Sequence, residues 1–321
     1  MAVTCLGIES TAHTFGASLW TGRKRVTNEK NSFESDGPGI VPREVARWHR
    51  EHGSGIIGKA LQGAKPDLIA YSLGPGIGSC LQVGYEYAVE TAKRFDAPLV
   101  GVNHCVAHLE IGRLLCKARD PVLLYASGAN TQVIAYEGKK YRVFGETLDI
   151  GAGNLLDKFA RHLGLGFPGG PALYELSLKS ENYVELPYGV KGMDVCFSGL
   201  LTRAKHLADA GENRSDLAFS LQESAFSMLV EVAERAMAHC DKKELLLGGG
   251  VACSKILQEK CRIMCEERGA QMFVPANEFL VDNAAMIAWQ GVLEKRKANK
   301  NYDEWQPNPQ WRTDEVKVDW R

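Results

Sequence analysis

No C-x-x-C pair occurs among the nine cysteines, which are scattered and odd in number. That excludes a disulfide framework or a zinc ribbon as the organising device and points to free thiols in a reducing compartment. Nor does any apolar run approach the ~18 residues needed to span a bilayer. The opening MAVTCLGIES has neither the basic head nor the long apolar stretch of a secretory signal. The expectation is a cytoplasmic protein without a membrane partner. An excess of one charge is missing too, because 38 Lys and Arg stand against 39 Asp and Glu for a net charge of -1. A protein that grips nucleic acid unaided usually shows a basic face. Only TGRKR (21–25) and EKRKANK (294–300) are locally basic, so RNA binding would be shared with another subunit.

What is present is a folded chain. With 321 residues, 45% of them hydrophobic and 24% charged, it suits two lobes of ordinary size. VTCLGIESTAHTFGASLW reads as two strands joined by a polar tip, followed by a basic loop and the Gly/Pro cluster SDGPGIVPRE. VARWHREHGSGIIGKALQGA and YEYAVETAKRF have helical spacing, and PDLIAYSLG and APLVGVN read as buried strands. At PVLLYASGANTQVIAY the strand, small polar tip and strand return, which marks an internal structural repeat. GNLLDKFARHLGL is helical, PGGP a turn, and RSDLAFSLQESAFSMLVEVAERAMAHC a long helix. KELLLGGGVACSKILQEK reads as strand, triple glycine and helix, and LVDNAAMIAWQG as a turn carrying Asp282 before a last helix. The fold class expected is α/β, with one lobe from 1–118 plus 286–321 and the other from 119–285. The tail beyond carries three tryptophans and is ordered only if those rings find a surface.

Two polar hairpin tips and a strand-GGG-helix, in this order, suit the phosphate and adenosine of a nucleotide, because tight small-residue turns aim backbone N–H groups together at anions. A second constellation is His104 and His108 in VNHCVAHLEIGR: four residues is about one helical turn, so both rings can reach one metal ion. Metalloproteases with this spacing carry a glutamate after the first histidine. Here that position is Cys105, and the general base is absent. Two histidines plus a carboxylate suit zinc or ferrous iron. Asp282, at a helix start, is either the third ligand or an N-cap. His49 and His52 in WHREH read as a surface or packing feature.

GIESTAH, GVNHCVAHLEIGR, LLYASGANTQVI, GETLDIGAGNLLDKFAR, FPGGP, CFSGLLTRAK, LLLGGGVA and LVDNAAMIAWQG, in this order, resemble the tRNA N6-adenosine threonylcarbamoyltransferase family. The likeness is to its archaeal and eukaryotic members, the catalytic subunit of the KEOPS complex, formerly called O-sialoglycoprotein endopeptidases. The resemblance implies a two-lobed actin/Hsp70/sugar-kinase-like fold with a duplicated core. It implies transfer of threonylcarbamoyl from threonylcarbamoyl-AMP to N6 of the adenosine 3′ of the anticodon, in tRNAs that read codons beginning with A. It also implies one divalent metal per subunit, iron(II) foremost and zinc as the alternative, on His104, His108, Tyr125 and Asp282. The nucleotide side, which takes threonylcarbamoyl-AMP, ATP or AMP, falls on Ser10 and Thr11, on the tip Tyr125, Ala126, Ser127, Gly128, Ala129 and Asn130, on Asp157 and Gly170, and on Gly249 and Gly250 of the Gly248–Gly250 turn. Glu9 matches an acidic position expected to assist catalysis. The implied partners are tRNA and the other KEOPS subunits, including a small atypical protein kinase and a small dimerising subunit.

Two positions depart from the family pattern: Ser254 stands where an asparagine is usual, and Tyr174 where an acidic residue is usual. Both bear on contacts to the nucleotide. An actin-fold ATPase or sugar kinase would account for the hairpins and the glycine turn but leaves the histidine pair unused. A nucleotide-binding scaffold subunit is the non-enzymatic alternative.

Overall fold

A computed structural model describes residues 2–34 and 40–321; residues 35–39, the first half of the Gly/Pro cluster, lie outside the described residues. Two compact units form, Met1–Leu114 with Asp282–Arg321, and Leu115–Val281. The second crossing falls at 281/282, where 285/286 was expected, so Asp282 shares a unit with the histidines.

In the first unit the chain runs β1 (Thr4–Glu9), β2 (Thr14–Thr21), β3 (Lys24–Arg25), β4 (Glu29–Ser32), α1 (Pro42–Leu61), β5 (Leu68–Gly74), α2 (Gly78–Phe95), β6 (Leu99–Asn103) and α3 (His104–Cys116). The second contains β7 (Val122–Ala126), β8 (Thr131–Glu137), β9 (Lys140–Glu146), α4 (Ala152–His162), α5 (Gly169–Ser177), β10 (Val190–Lys191), β11 (Asp194–Val195), α6 (Ser198–Asp209) and α7 (Arg214–His239). It closes with β12 (Glu244–Gly248), a 3-10 turn at Gly250–Cys253, α8 (Lys255–Glu267), β13 (Gln271–Phe273) and α9 (Asn277–Leu280). The chain then returns to the first unit with α10 (Ala284–Glu294).

The two sheets are copies in topology. The first orders its strands β3-β2-β1-β5-β6, with β4 also paired to β2; the second orders them β9-β8-β7-β12-β13. In each, an antiparallel hairpin supplies the first strand, which then takes a parallel neighbour. A further parallel strand completes each set. The repeat expected from the two polar tips is therefore a duplicated sheet. Parallel strands covered on both faces read as unbroken apolar runs, as LIAYSLG and ELLLG do.

Alternation sorts the first sheet's faces. Leu6 and Ile8 of β1 join Ile56 and Ile57 of α1 and Ala88 and Ala92 of α2 in one core. The intervening Gly7 faces α10, and a Cβ there would lie 2.3 Å from the Ala288 nitrogen. Gly291 of α10 sits as tightly on Ala70, at 2.4 Å from its Cβ. The Gly7 contact is backbone against backbone, so neither side can yield. Gly7→Ala is expected to destabilise the protein by about 3 kcal/mol, the upper end for overpacking, measured as a lowered urea midpoint; an unchanged midpoint would show that α10 is free to shift.

Three expectations needed correction. PGGP is not merely a turn, since Gly169, Gly170 and Pro171 form the first turn of α5. The helix α6 was not anticipated, and TGRKR is in part the short strand β3. His49 is fully buried and packs edge-on against Phe15, while His52 stacks on Trp48. The tail's tryptophans do find a surface: Trp305 and Trp311 pack on the core of Leu6 and Ile8. No helix among the described residues is long and apolar enough to cross a membrane.

Candidate metal centre and nucleotide cradle

The first unit's site begins where β6 ends. Asn103 Oδ1 accepts from the Val106 nitrogen at 3.1 Å, the bond of an N-cap, so α3 starts without a connecting loop and His104 is its first residue. His104 and His108 then share a face, both buried, with ring centroids 4.8 Å apart. Asp282 Oδ1 lies 3.3 Å from His104 Nε2 and 3.4 Å from His108 Nε2. One donor atom from each of the three residues falls within 4.8 Å of the others, the one such cluster of three or more acidic, Cys or His groups among the described residues.

Asn283 is the residue that caps α10, its Oδ1 accepting from the Met286 nitrogen at 3.1 Å. Asp282 precedes the cap, and Lys30 Nζ donates to its carbonyl oxygen at 3.2 Å. Its carboxylate is thereby aimed at the two rings. Burial pushes the Asp282 carboxyl up, but the two histidines outweigh it and hold the group well below the usual carboxylate range. Burial lowers His108, against the opposing pull of Asp282. A neutral imidazole is the form that offers a lone pair.

Behind His104 stands Glu9, fully buried at the end of β1, with Oε2 3.0 Å from His104 Nδ1. Its other oxygen accepts from the Thr11 nitrogen at 2.7 Å and from Thr11 Oγ1 at 2.5 Å. A carboxylate on Nδ1 fixes the tautomer that leaves Nε2 as the lone-pair nitrogen, which is how carboxylates orient metal-bound histidines. Two imidazoles and a carboxylate converging on one point, with this support, have the chemistry of a divalent-cation site. Ser10 is fully buried, its hydroxyl tight against Gly84, where a Cβ would fall 2.0 Å away. Thr11 therefore shapes the setting of Glu9.

The second unit gathers the other set. The tip between β7 and β8 is closed by the Ser127 nitrogen and Oγ on the Asn130 carbonyl, at 2.8 and 3.0 Å. It is seated on the start of α4 by Gly153 N donating to Ser127 O at 2.9 Å and Asn154 N to Gly128 O at 2.8 Å. Gly151 must be glycine, since a Cβ would lie 2.4 Å from the Ala129 oxygen. Gly249 has φ 88° and would place a Cβ 2.3 Å from the Ala126 oxygen. The turn Gly248–Gly250 thus presses against the tip, while Gly128 itself has open space where a side chain would stand. Asp157 Oδ1 accepts from Gly169 N at 2.7 Å and so fixes the start of α5 and Gly170. Tyr125 is buried in β7, opposite Gly248 of β12. Ser254 caps α8, with Oγ accepting from the Leu257 nitrogen at 3.5 Å. Tyr174 is half-buried on α5. Among these, Asn103, Gly151 and the Glu9–His104 bond were not singled out from the sequence. GETLDIGAGN carried a signal for Gly151 in its paired glycines; Glu9 and His104 are too far apart along the chain for spacing to link them.

Residues 23–289 match the family model of tRNA N6-adenosine threonylcarbamoyltransferase (TsaD). The tRNA N6-adenosine threonylcarbamoyltransferase of Thermococcus kodakarensis is 48% identical over 322 residues, covering 98% of this chain and 99% of that one. A probable bifunctional tRNA threonylcarbamoyladenosine biosynthesis protein of Methanocaldococcus jannaschii is also 48% identical, and the chain spans 60% of its length. Among solved structures, full-length HypF superposes with a TM-score of 0.64 at 13% identity, over 92% of this chain and 46% of that one. A ROK family glucokinase from Streptomyces griseus superposes at 0.53 and 12% identity, over 89% and 98%. These likenesses show an α/β fold of the actin and sugar-kinase type. The chain belongs to the tRNA N6-adenosine threonylcarbamoyltransferase family.

Proposed function

We propose that this protein transfers the threonylcarbamoyl group of threonylcarbamoyl-AMP to N6 of the adenosine 3′ of the anticodon, in tRNAs reading codons that begin with A. The observation that carries the reading is the His104, His108 and Asp282 cluster with Glu9 behind it, in a chain that matches transferases of this name along nearly its whole length. In the step, the N6 nitrogen attacks the carbamoyl carbon, the bond from that carbon to the phosphate oxygen breaks, AMP leaves and N6 loses a proton. An exocyclic amine of adenine is a poor nucleophile, so the acyl donor must be activated. A divalent cation held by His104, His108 and Asp282 would supply Lewis acidity toward the donor's oxygens. Iron(II) is the first expectation and zinc the second, since both accept imidazole and carboxylate.

The chain's own residues do the rest. Glu9 keeps a proton on His104 Nδ1, so that Nε2 stays a donor of its lone pair; this makes Glu9 a positioning residue. The tip Ala126–Asn130 with Gly249, Gly250, Asp157 and Gly170 cradles the nucleotide, and Tyr174 and Ser254 border it. Backbone dipoles at such turns favour the charge that develops on departing AMP. The acceptor base lies in a single-stranded loop, where splaying it out is inexpensive. A near-neutral chain needs help to hold tRNA, and we assign that help to the KEOPS subunits, the small kinase and the small dimerising subunit, in the cytoplasm. The test is nucleoside mass spectrometry of unmodified tRNA incubated with this protein, the donor and those subunits. Threonylcarbamoyladenosine formed only when this chain is present supports the reading; none under any combination sinks it. In the second unit, Gly249→Ala should raise the Kd for AMP at least tenfold, read by calorimetry, because the strained backbone and the Ala126 oxygen leave no room for a methyl group.

A further inference from the structure

The metal helix is held from its far side by the end of the chain. On a helix turning roughly 100° per residue, Glu110 lies on the opposite side of α3 from His104 and His108. Glu110 is buried, yet its carboxylate meets the tail: Trp320 Nε1 donates to Oε1 at 2.8 Å, and Arg113 Nη1 donates to Oε2 at 2.6 Å. The Trp320 ring is itself pinned by Lys297, whose ammonium lies 5.0 Å from the ring centroid and also donates to the Lys317 carbonyl. About two turns earlier, the same tail reaches the helix start. Asn103, which caps α3 through Oδ1, donates through Nδ2 to the Trp311 carbonyl at 3.3 Å.

We propose that the tail from Trp311 to Trp320 is a strap that sets the rotation of α3, and that Trp320, acting through Glu110, is a positioning residue for the histidine pair. The physical ground is leverage. Two histidines must present Nε2 atoms to one point, and rotation of their helix moves both at once. The N-cap alone fixes one end; the buried Glu110–Trp320 bond fixes the helix about two turns farther on, so that rotation is blocked at two places. A tail whose only task was to cover the core would be satisfied by the packing of Trp305 and Trp311. It would need neither a buried carboxylate on α3 nor an indole donor aimed at it.

This inference rests on the cluster being a metal site, and the experiment separates the two. Trp320→Phe keeps an aromatic ring beside Lys297 while removing the N–H donor and part of the ring area. Zinc(II) affinity is measured by competition with a chromophoric chelator for the wild type, Trp320→Phe, Glu110→Gln and His104→Ala. In parallel, metal-free samples are compared by thermal unfolding and by amide hydrogen exchange in α3. The strap predicts that Trp320→Phe weakens zinc binding about five- to tenfold, somewhat under the effect of losing a direct hydrogen-bond partner of a ligand, and speeds exchange at residues 104–112 in the metal-free protein. Glu110→Gln keeps an acceptor for the indole and should retain most of the wild-type affinity. Wild-type zinc affinity in Trp320→Phe, with only a lowered melting temperature, would overturn the strap while leaving the metal site standing. Zinc affinity that His104→Ala leaves unchanged would overturn the metal reading itself, whatever the strap does.

Discussion

His104→Ala should remove bound metal and cut transfer by about a thousandfold or more, the size of effect seen when a catalytic metal's preorganised charge is lost. The reason is geometric. His104 Nε2 and His108 Nε2 both face the one Asp282 oxygen, at 3.3 and 3.4 Å, so deleting one ring leaves two donors where a tetrahedral site wants at least three. Folding should survive, because the imidazole sits at the first position of α3 and the cap on Asn103 is untouched. Metal analysis of the purified variant with single-turnover transfer checks both halves. Full metal content with normal transfer would remove the site from the mechanism.

The second large effect is expected at Glu9. Both of its carboxylate oxygens are engaged, one by His104 Nδ1 and the other by two donors from Thr11. Glu9→Gln supplies only one oxygen. If that oxygen stays with Thr11, the amide N–H faces Nδ1, which must then accept, and the ring's proton moves to Nε2, where it blocks ligation. If the oxygen turns to His104, the Thr11 donors are left buried against an amide. Either way the histidine loses its set tautomer or its support. Metal affinity should fall between tenfold and a hundredfold, the range for carboxylates behind metal-bound histidines. The nucleotide Kd should be unchanged, because the cradle belongs to the other unit. A variant with normal metal affinity and slow transfer would instead make Glu9 a group that acts on substrate.

Much of this was legible in the sequence, for identifiable reasons. The two hairpins announced themselves by apolar strands broken at small polar tips, and their recurrence matches two sheets of the same strand order. The triple glycine was readable because a φ of 88° at Gly249, against the Ala126 oxygen, excludes other residues. α5 hid behind FPGGP, since glycine and proline signal turns; yet at a helix's first turn the N–H groups have no partner within the helix, so these residues are tolerated there. The Asp157 carboxylate takes the Gly169 N–H that the helix leaves over. Strands of two residues such as β3 and β10 carry too few side chains for any period to show. In the site, the histidine pair follows from its one-turn spacing together with its place just after a strand. That Asp282 is free to face it does not, because in an Asp-Asn pair either residue can be the cap, and only the bond from Met286 to Asn283 decides.

On this reading the cluster's metal is what makes the chain a transferase. The measurement that tests it most directly is the yield of threonylcarbamoyladenosine in tRNA as metal-stripped protein, assembled with its partner subunits and supplied with donor, is titrated with iron(II) or zinc(II). The expected result is a rise from near zero to a plateau at one metal ion per chain. A yield from stripped protein equal to that of the loaded protein would contradict it.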